Sequence, residues 1–357
     1  MILNFLGRYS TGYQGPFSYS QWTFNATGQY IVNVFTAEKT MTITQLGMCV
    51  SSSTGTPPVR IAMWQYTGGR DLPSNPLTAK IYTDPNPISV TAGITQPTFI
   101  WWNLTTPQVI TRGTTIAIGL ETYGTWSGGL SLVSTQDQSK RDYTLMSGQP
   151  YARTWTQNTG PFRFGVASTT ESYGYPVQSS TLTNRNNTFS GTAFTIPTSM
   201  GGTCLLQGVL APLNGESSFI NLSLRLYNAT SYPPTLITSR SFADDSATSW
   251  LNAMNQDAGQ VYFPFDTPQT LTTGVKYAVG FNHSGNNFNL ARFTFNRAQD
   301  ANCLSDISSF GLEADSTLTT WTESGTVRYA MSLDVTDFTP AAGASGGGPV
   351  IGGRLIN

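Results

Sequence analysis

Charge is scarce in this sequence. Lys, Arg, Asp and Glu make up 10% of its 357 residues, against roughly 25% in an average protein. The 18 basic and 19 acidic residues leave a net charge of −1. No global field therefore draws the chain to nucleic acid or to an anionic membrane. The surface is expected to be built from Ser, Thr, Asn, Gln and Gly instead.

Histidine is scarcer still. His283 is the single one, and a Ser/Cys–His–Asp triad would have to use it beside a nucleophile and an orienting carboxylate. It stands in Asn282-His283-Ser284-Gly285, just past a strand pattern, so a structural place in a loop is expected. No His/Cys cluster has zinc spacing. Carboxylates occur in expected loops at Asp71, Asp84 and Asp137, and again at Asp244, Asp245, Asp257, Asp300 and Asp306. None forms the motif of a glycosidase pair or an ordered Asp-x-Asp-x-Asp calcium loop. The expectation is no enzyme, no metal and no cofactor.

Cysteine is limited to Cys49, Cys204 and Cys303. An odd count argues against a complete disulfide framework, and buried free thiols are expected, with a Cys204–Cys303 pair left open. No stretch approaches the ~20 apolar residues of a membrane helix, so membrane insertion is not expected. The opening Met1-Ile2-Leu3-Asn4-Phe5-Leu6-Gly7 lacks a basic region, and its apolar run is short for a signal peptide. The product is expected to stay soluble where it is made.

What the chain does have is a repeat. Residues 105–119 read Thr-Thr-Pro-Gln-Val-Ile-Thr-Arg-Gly-Thr-Thr-Ile-Ala-Ile-Gly, and 266–280 read Asp-Thr-Pro-Gln-Thr-Leu-Thr-Thr-Gly-Val-Lys-Tyr-Ala-Val-Gly. Seven of fifteen positions match without a gap, including Pro107/Pro268, Gly113/Gly274, Ala117/Ala278 and Gly119/Gly280. Alternating apolar runs with β-branched and aromatic residues flank both copies and predict strands. Pro107 and Pro268 cannot donate to a ladder and predict a strand end or an edge. Gly113 and Gly274 predict turns with positive φ. Outside the copies, Trp64 aligns with Tyr227, Trp155 with Trp321 and Arg163 with Arg328. The two arginines sit among apolar residues and are expected to bond a carboxylate or loop carbonyls. A period near 160 residues is far longer than that of a solenoid and predicts two domains.

The expected fold is therefore all-β: two tandem antiparallel β-sandwich domains from an internal duplication, with extended N- and C-terminal arms. The boundaries read as an N-terminal arm over 1–20, a first sandwich over 21–168, a linker over 169–187, a second sandwich over 188–338 and a Gly-rich tail over 339–357. One helix is predicted over 244–255. The tail ends in small apolar anchors, Val350, Ile351, Leu355 and Ile356, around Arg354. These five residues are expected to dock on another subunit, tethered by the Gly-rich stretch.

Aromatics are the other resource, at 12%. Trp22, Trp126 and Trp250 are candidates for stacking on sugar rings, with core packing as the more ordinary role. Trp101 and Trp102 must face opposite sides of one strand.

The motif order in each half is a strand ending in an aromatic (Ile61-Ala62-Met63-Trp64; Leu224-Arg225-Leu226-Tyr227), then an aromatic-rich strand, Thr-Pro, a turn Gly and Ala-x-Gly. This resembles the carbohydrate-binding-module-like jelly rolls of tailed-bacteriophage virion proteins. The resemblance implies a structural protein on the exterior of a phage particle, as a capsid decoration or tail component assembled in the host cytoplasm. Its partners would be other virion subunits and further copies of itself. The alternative it implies is a glycan-binding adhesin or secreted carbohydrate-binding module, with a host surface glycan as ligand.

Overall fold

The computed structural model of the chain describes residues 2–4, 19–37, 39–66, 77–88, 90–135, 145–149, 154–158, 163–174, 177–184, 188–212, 222–242, 260–283, 289–302 and 307–339. It is all-β, with antiparallel sheets in two compact units. One unit is residues 15–180; the other combines 1–14 with 181–357.

The first unit holds β2 (Tyr19–Phe24), β3 (Tyr30–Thr36), β4 (Met41–Thr54), β5 (Val59–Tyr66), β6 (Leu77–Thr83), β7 (Thr98–Ile110), β8 (Thr115–Thr122), β9 (Gly129–Thr135), β10 (Leu145–Gln149), β11 (Thr154–Asn158), β12 (Phe164–Ala167) and β13 (Ser172–Gly174). One sheet runs β11-β10-β3-β8-β5-β6. The other runs β13-β12-β4-β9-β2, with β7 also paired to β4. Alternate residues of both sheets turn inward, and Leu46, Met48, Ile61, Ile118, Leu132 and Phe164 meet in one buried core. Each such side chain contributes roughly 1.5–3 kcal/mol on burial, so the two-residue period is the main determinant of this sandwich.

The second unit contains β1 (Ile2–Asn4), β14 (Val177–Asn184, which starts in the first unit's residues), β15 (Thr188–Thr195), β16 (Thr203–Pro212), β17 (Leu222–Asn228) and β18 (Thr235–Ser241). It continues with β19 (Gln260–Thr272), β20 (Lys276–His283), β21 (Asn289–Phe295), the short helix α1 (Ala298–Asn302), β22 (Ser308–Ala314), β23 (Trp321–Ser324), β24 (Val327–Tyr329) and β25 (Ser332–Thr339). Its sheets are β18-β17-β20-β15-β22-β23, β1-β25-β16-β19 and β14-β21-β24. Phe263 of β19 meets Phe281 of β20 edge-on, centroids 4.8 Å apart, and both lie in the buried core.

The six-stranded sheets have the same order when β3, β5, β6, β8, β10 and β11 are set against β15, β17, β18, β20, β22 and β23. Their registers agree as well. Gly119 pairs Val32 as Gly280 pairs Gly191, and Trp64 pairs Ala117 as Tyr227 pairs Ala278. Trp155, Gly148 and Tyr30 form one cross-strand row, and Trp321, Ala314 and Phe189 form the other.

Several sequence expectations need correction. Pro107 and Pro268 end no strand, because β7 and β19 run through them, but among the described residues both stand on edge strands as expected: β7 pairs with β4 alone and β19 closes its sheet. Pairing passes from Ile43/Gln108 to Gln45/Asn103, so residues 104–107 stand opposite Thr44 alone. Residues 265–268 stand opposite Gln207 in the same way. The prolines sit where the ladder requires no donor. Gly113 and Gly274 do take positive φ, +82° and +79°. His283 is not in a loop; it closes β20, is buried, and pairs in register with Thr188 and Leu222. Residues 169–187, linker-like in composition, contain all of β13 and β14, and residues 2–4 of the expected arm are a strand. Short Ser/Thr/Tyr strands carry little apolar signal, so composition hid them. The helix expected over 244–255 and the tail over 340–357 lie outside the described residues. Among the described residues no helix is long and apolar enough to cross a membrane.

Candidate interaction site

Of the tryptophans proposed to stack on sugars, Trp22 lies in β2 in register with Leu132. Trp126 is half-buried, packs on the core, and its ring centroid is 6.0 Å from that of Phe24. Trp250 lies outside the described residues, as do the anchor residues Val350, Ile351, Arg354, Leu355 and Ile356. Trp101 and Trp102 face opposite sides as the strand period requires: Trp102 is in the main core, whereas Trp101 packs on Phe99 at 5.2 Å.

The structure assembles a different cluster on the outward face of the β11-β10-β3-β8-β5-β6 sheet. Strand alternation puts Arg60, Ala62 and Trp64 of β5 on that face, with Ala117 and Glu121 of β8 and Tyr30 of β3. Trp64 meets Tyr30 edge-on, with centroids 5.5 Å apart at 85°, a favoured geometry for aromatic pairs. Lys80 Nζ lies 5.4 Å from the Trp64 ring centroid and 6.0 Å from that of Tyr30. Glu121 is buried, and each oxygen has its own cation: Oε1 is 2.6 Å from Arg60 Nε and Oε2 is 2.7 Å from Lys80 Nζ. Two partners compensate the desolvation of this carboxylate. Burial, and then the Glu121 charge, push the Tyr30 phenol up from its ordinary range. At the rim, the Arg60 guanidinium lies 4.9 Å from the ring centroid of Tyr123, which is 45% exposed. Trp64, Ala62, Ala117 and Glu121 are buried, and what reaches solvent is the Tyr123 ring with parts of Arg60 and Lys80. This surface can present a ring face and guanidinium N–H donors to a polar ligand.

The second unit carries only part of this. Phe189, Tyr227 and Trp321 form a triad with centroids 5.0–5.4 Å apart, and the Trp321 indole N–H donates to Leu318 O at 2.8 Å. By register, however, the places of Glu121, Arg60 and Lys80 are taken by Asn282, Ser223 and Leu236. Sequence reasoning missed the ionic part. The only signal for it was the shared parity of Arg60, Ala62 and Trp64, and the pairing of β5 with both β6 and β8 could not be read from that.

The arginine pair follows expectation in using carbonyls. Arg328 is fully buried and donates from Nη1 to Val327 O at 2.7 Å and Gly325 O at 3.2 Å. Arg163 donates from Nη1 to Gln178 O at 3.0 Å. Cys49 and Cys204 are free and buried; Cys303 lies outside the described residues. Among the former carboxylate candidates, Asp84 is taken up in hydrogen bonds with Thr105 and Tyr82. Asp300 is buried against Arg297 at 2.9 Å. No group of three His, Cys, Asp or Glu suited to a metal occurs among the described residues.

A surface feature recurs where the ionic cluster does not. β6 and β18 hold the same sheet edge, and each carries a β-bulge at the same register. Ile81 is the extra residue between Met63/Tyr82 and Trp64/Lys80; Ile237 is the extra residue between Leu226/Thr238 and Tyr227/Leu236. The two isoleucines are 46% and 44% exposed. Bulges blunt an edge against open-ended pairing, yet here each presents an aliphatic side chain to solvent.

No protein-family model matches this sequence, and no curated protein matches it.

Proposed function

We propose that the two units are copies of one jelly-roll-like sandwich and that the chain is a non-catalytic structural protein on the exterior of a phage particle, acting through protein–protein contacts. The observation that carries this reading is what recurs between the units. Packing devices recur: Trp64 and Tyr227, Gly119 and Gly280, Arg163 and Arg328. On the surface the exposed bulge isoleucines Ile81 and Ile237 recur, while the polar cluster at Glu121 does not. A duplicated binding module would keep its polar recognition groups; a duplicated building block keeps its edges. The free, buried thiols of Cys49 and Cys204 agree with assembly inside a reducing cell. Immunogold labelling of purified particles from the source, with antibody to the recombinant chain, tests the reading. Labelling at regular sites on intact particles is expected. Particles that carry no label and contain none of the chain would end it.

The patch at Tyr123 and Arg60 favours a second reading, glycan binding, since an exposed ring beside guanidinium donors suits a sugar face and its hydroxyls. Under that reading Tyr123→Ala abolishes retention on immobilised host-surface polysaccharide. A wild-type chain that is not retained excludes it.

A further inference from the structure

β25 is paired on one side to β16 and on the other to β1. In the first unit the matching edge belongs to β12, paired on one side to β4 and on the other to β13. The two edges are completed by different kinds of strand. β13 follows β12 directly, through a turn in which Ser168 Oγ accepts from the backbone N–H groups of Thr170 and Glu171 at 3.2 and 3.0 Å. Such a strand cannot leave its sheet without dismantling its turn. β1 comes from far upstream, ahead of every strand of the first unit, and reaches β25 through the register Ile2/Asp334, Leu3/Leu333 and Asn4/Ser332.

We propose that β1 is an exchangeable strand: when copies of this chain associate, Ile2–Asn4 of one copy completes the sheet of a second copy beside that copy's β25. The pairing that β1 makes in its own chain is chemically identical to the pairing it would make in another, so the choice depends on local concentration alone. The ladder is three residue pairs long, so little is lost in releasing it. A released β25 edge presents N–H and C=O groups that can be paired again by β1 of either copy. Positions 5–18 separate β1 from β2. Fourteen residues reach up to about 46 Å at ~3.3 Å each, enough to pass to a neighbouring body of this size. The proposal rests on the β1–β25 register and not on the phage-particle reading; exchange would serve any assembly of this chain.

The test uses the register. Ile2→Cys is made in one preparation of the full chain and Asp334→Cys in another, each with Cys303→Ser. The two are mixed at high concentration and oxidised. Directly opposed residues of an antiparallel pair lie within disulfide reach. A heterodimer linked between positions 2 and 334, identified by peptide mapping, is expected as the main disulfide-linked species. A companion chain carrying both cysteines should give linked oligomers as well as internally closed monomer. In addition, deletion of residues 2–4 should lower the mass found by light scattering at high concentration to that of one chain. If the double variant closes only within single chains while the mixed variants give no 2–334 link, β1 stays in its own copy and the proposal is wrong. If the deletion variant does not fold, the cross-linking outcome alone decides.

Discussion

Asp84 accepts both hydrogen bonds that Thr105 can give, from the backbone N–H at 2.9 Å and from the hydroxyl at 2.6 Å. Tyr82 OH adds a third at 2.8 Å and the Asn86 N–H a fourth at 3.1 Å. Thr105 lies in the four-residue excursion of β7 around Pro107, so this carboxylate ties the excursion to the end of β6. The second unit solves the same problem with reversed polarity. Arg240, in the register place of Asp84, meets Asp266, in that of Thr105, with Nε 3.1 Å from Oδ1.

From this follows a pH-dependent stability. Burial pushes the Asp84 carboxyl up, but the hydrogen bonds from Thr105, Tyr82 and Asn86 outweigh it and hold the group below its ordinary value. A folded-state pKa below the unfolded one means stability that is present above the unfolded carboxylate pKa of ~4 and lost as pH falls through the folded value. Asp84→Asn should cost about 1–3 kcal/mol at pH 7 and less at pH 3. Urea unfolding at both pH values measures this; an equal cost at both would contradict it.

Gly113, in the turn between β7 and β8, and Gly119, within β8, should respond very differently to alanine. A Cβ on Gly119 would lie 1.9 Å from Ile31 O and 2.7 Å from Val32 Cα. That is backbone against backbone inside the sheet, with nowhere to move. Gly113, by contrast, has open space around it and needs only its positive φ of +82°. Gly113→Ala should therefore cost about 1–2 kcal/mol, whereas Gly119→Ala should prevent the first unit from folding. Thermal unfolding of the two variants checks the order, and comparable Tm values would refute the close approach of β3 and β8.

The two described thiols should be unreactive until the fold opens. Burial pushes Cys49 up to about 12, against the opposing influence of Arg163, and pushes Cys204 up to about 11. An exposed thiol of pKa ~8.5 is about a quarter ionised at pH 8, and the thiolate is the reacting form. Iodoacetamide at pH 8 should leave both residues unmodified in the native protein and modify both in denaturant, as read by peptide mapping. Rapid native labelling of Cys49 would mean that β4 is not packed as described.

Much of the strand content could be read locally. Period-two runs at 41–50, 59–65 and 114–121 foretold β4, β5 and β8, because a half-buried strand needs only alternation to declare itself. The Gly113 and Gly274 turns were legible for the same reason: a positive φ leaves its mark on the residue that adopts it. The short polar strands β13 and β14 were not legible, since Ser, Thr and Tyr serve edges and loops alike. Neither was the course of β7 and β19 through their prolines, which depends on how many residues the partner strand sets opposite.

By itself, then, the sequence determined which alternating apolar segments are extended, where Gly113 and Gly274 turn the chain, and that the pattern occurs twice. Only the tertiary structure decided that Arg60, Lys80 and Glu121, from three different strands, would meet on one face, and that Ile2–Asn4 would close the sheet at β25. The physical reason is one of range. Alternation and turn preference act on neighbours in sequence. Pairing is made by backbone groups that every residue carries, so nothing in three residues such as Ile-Leu-Asn names the edge they will fill.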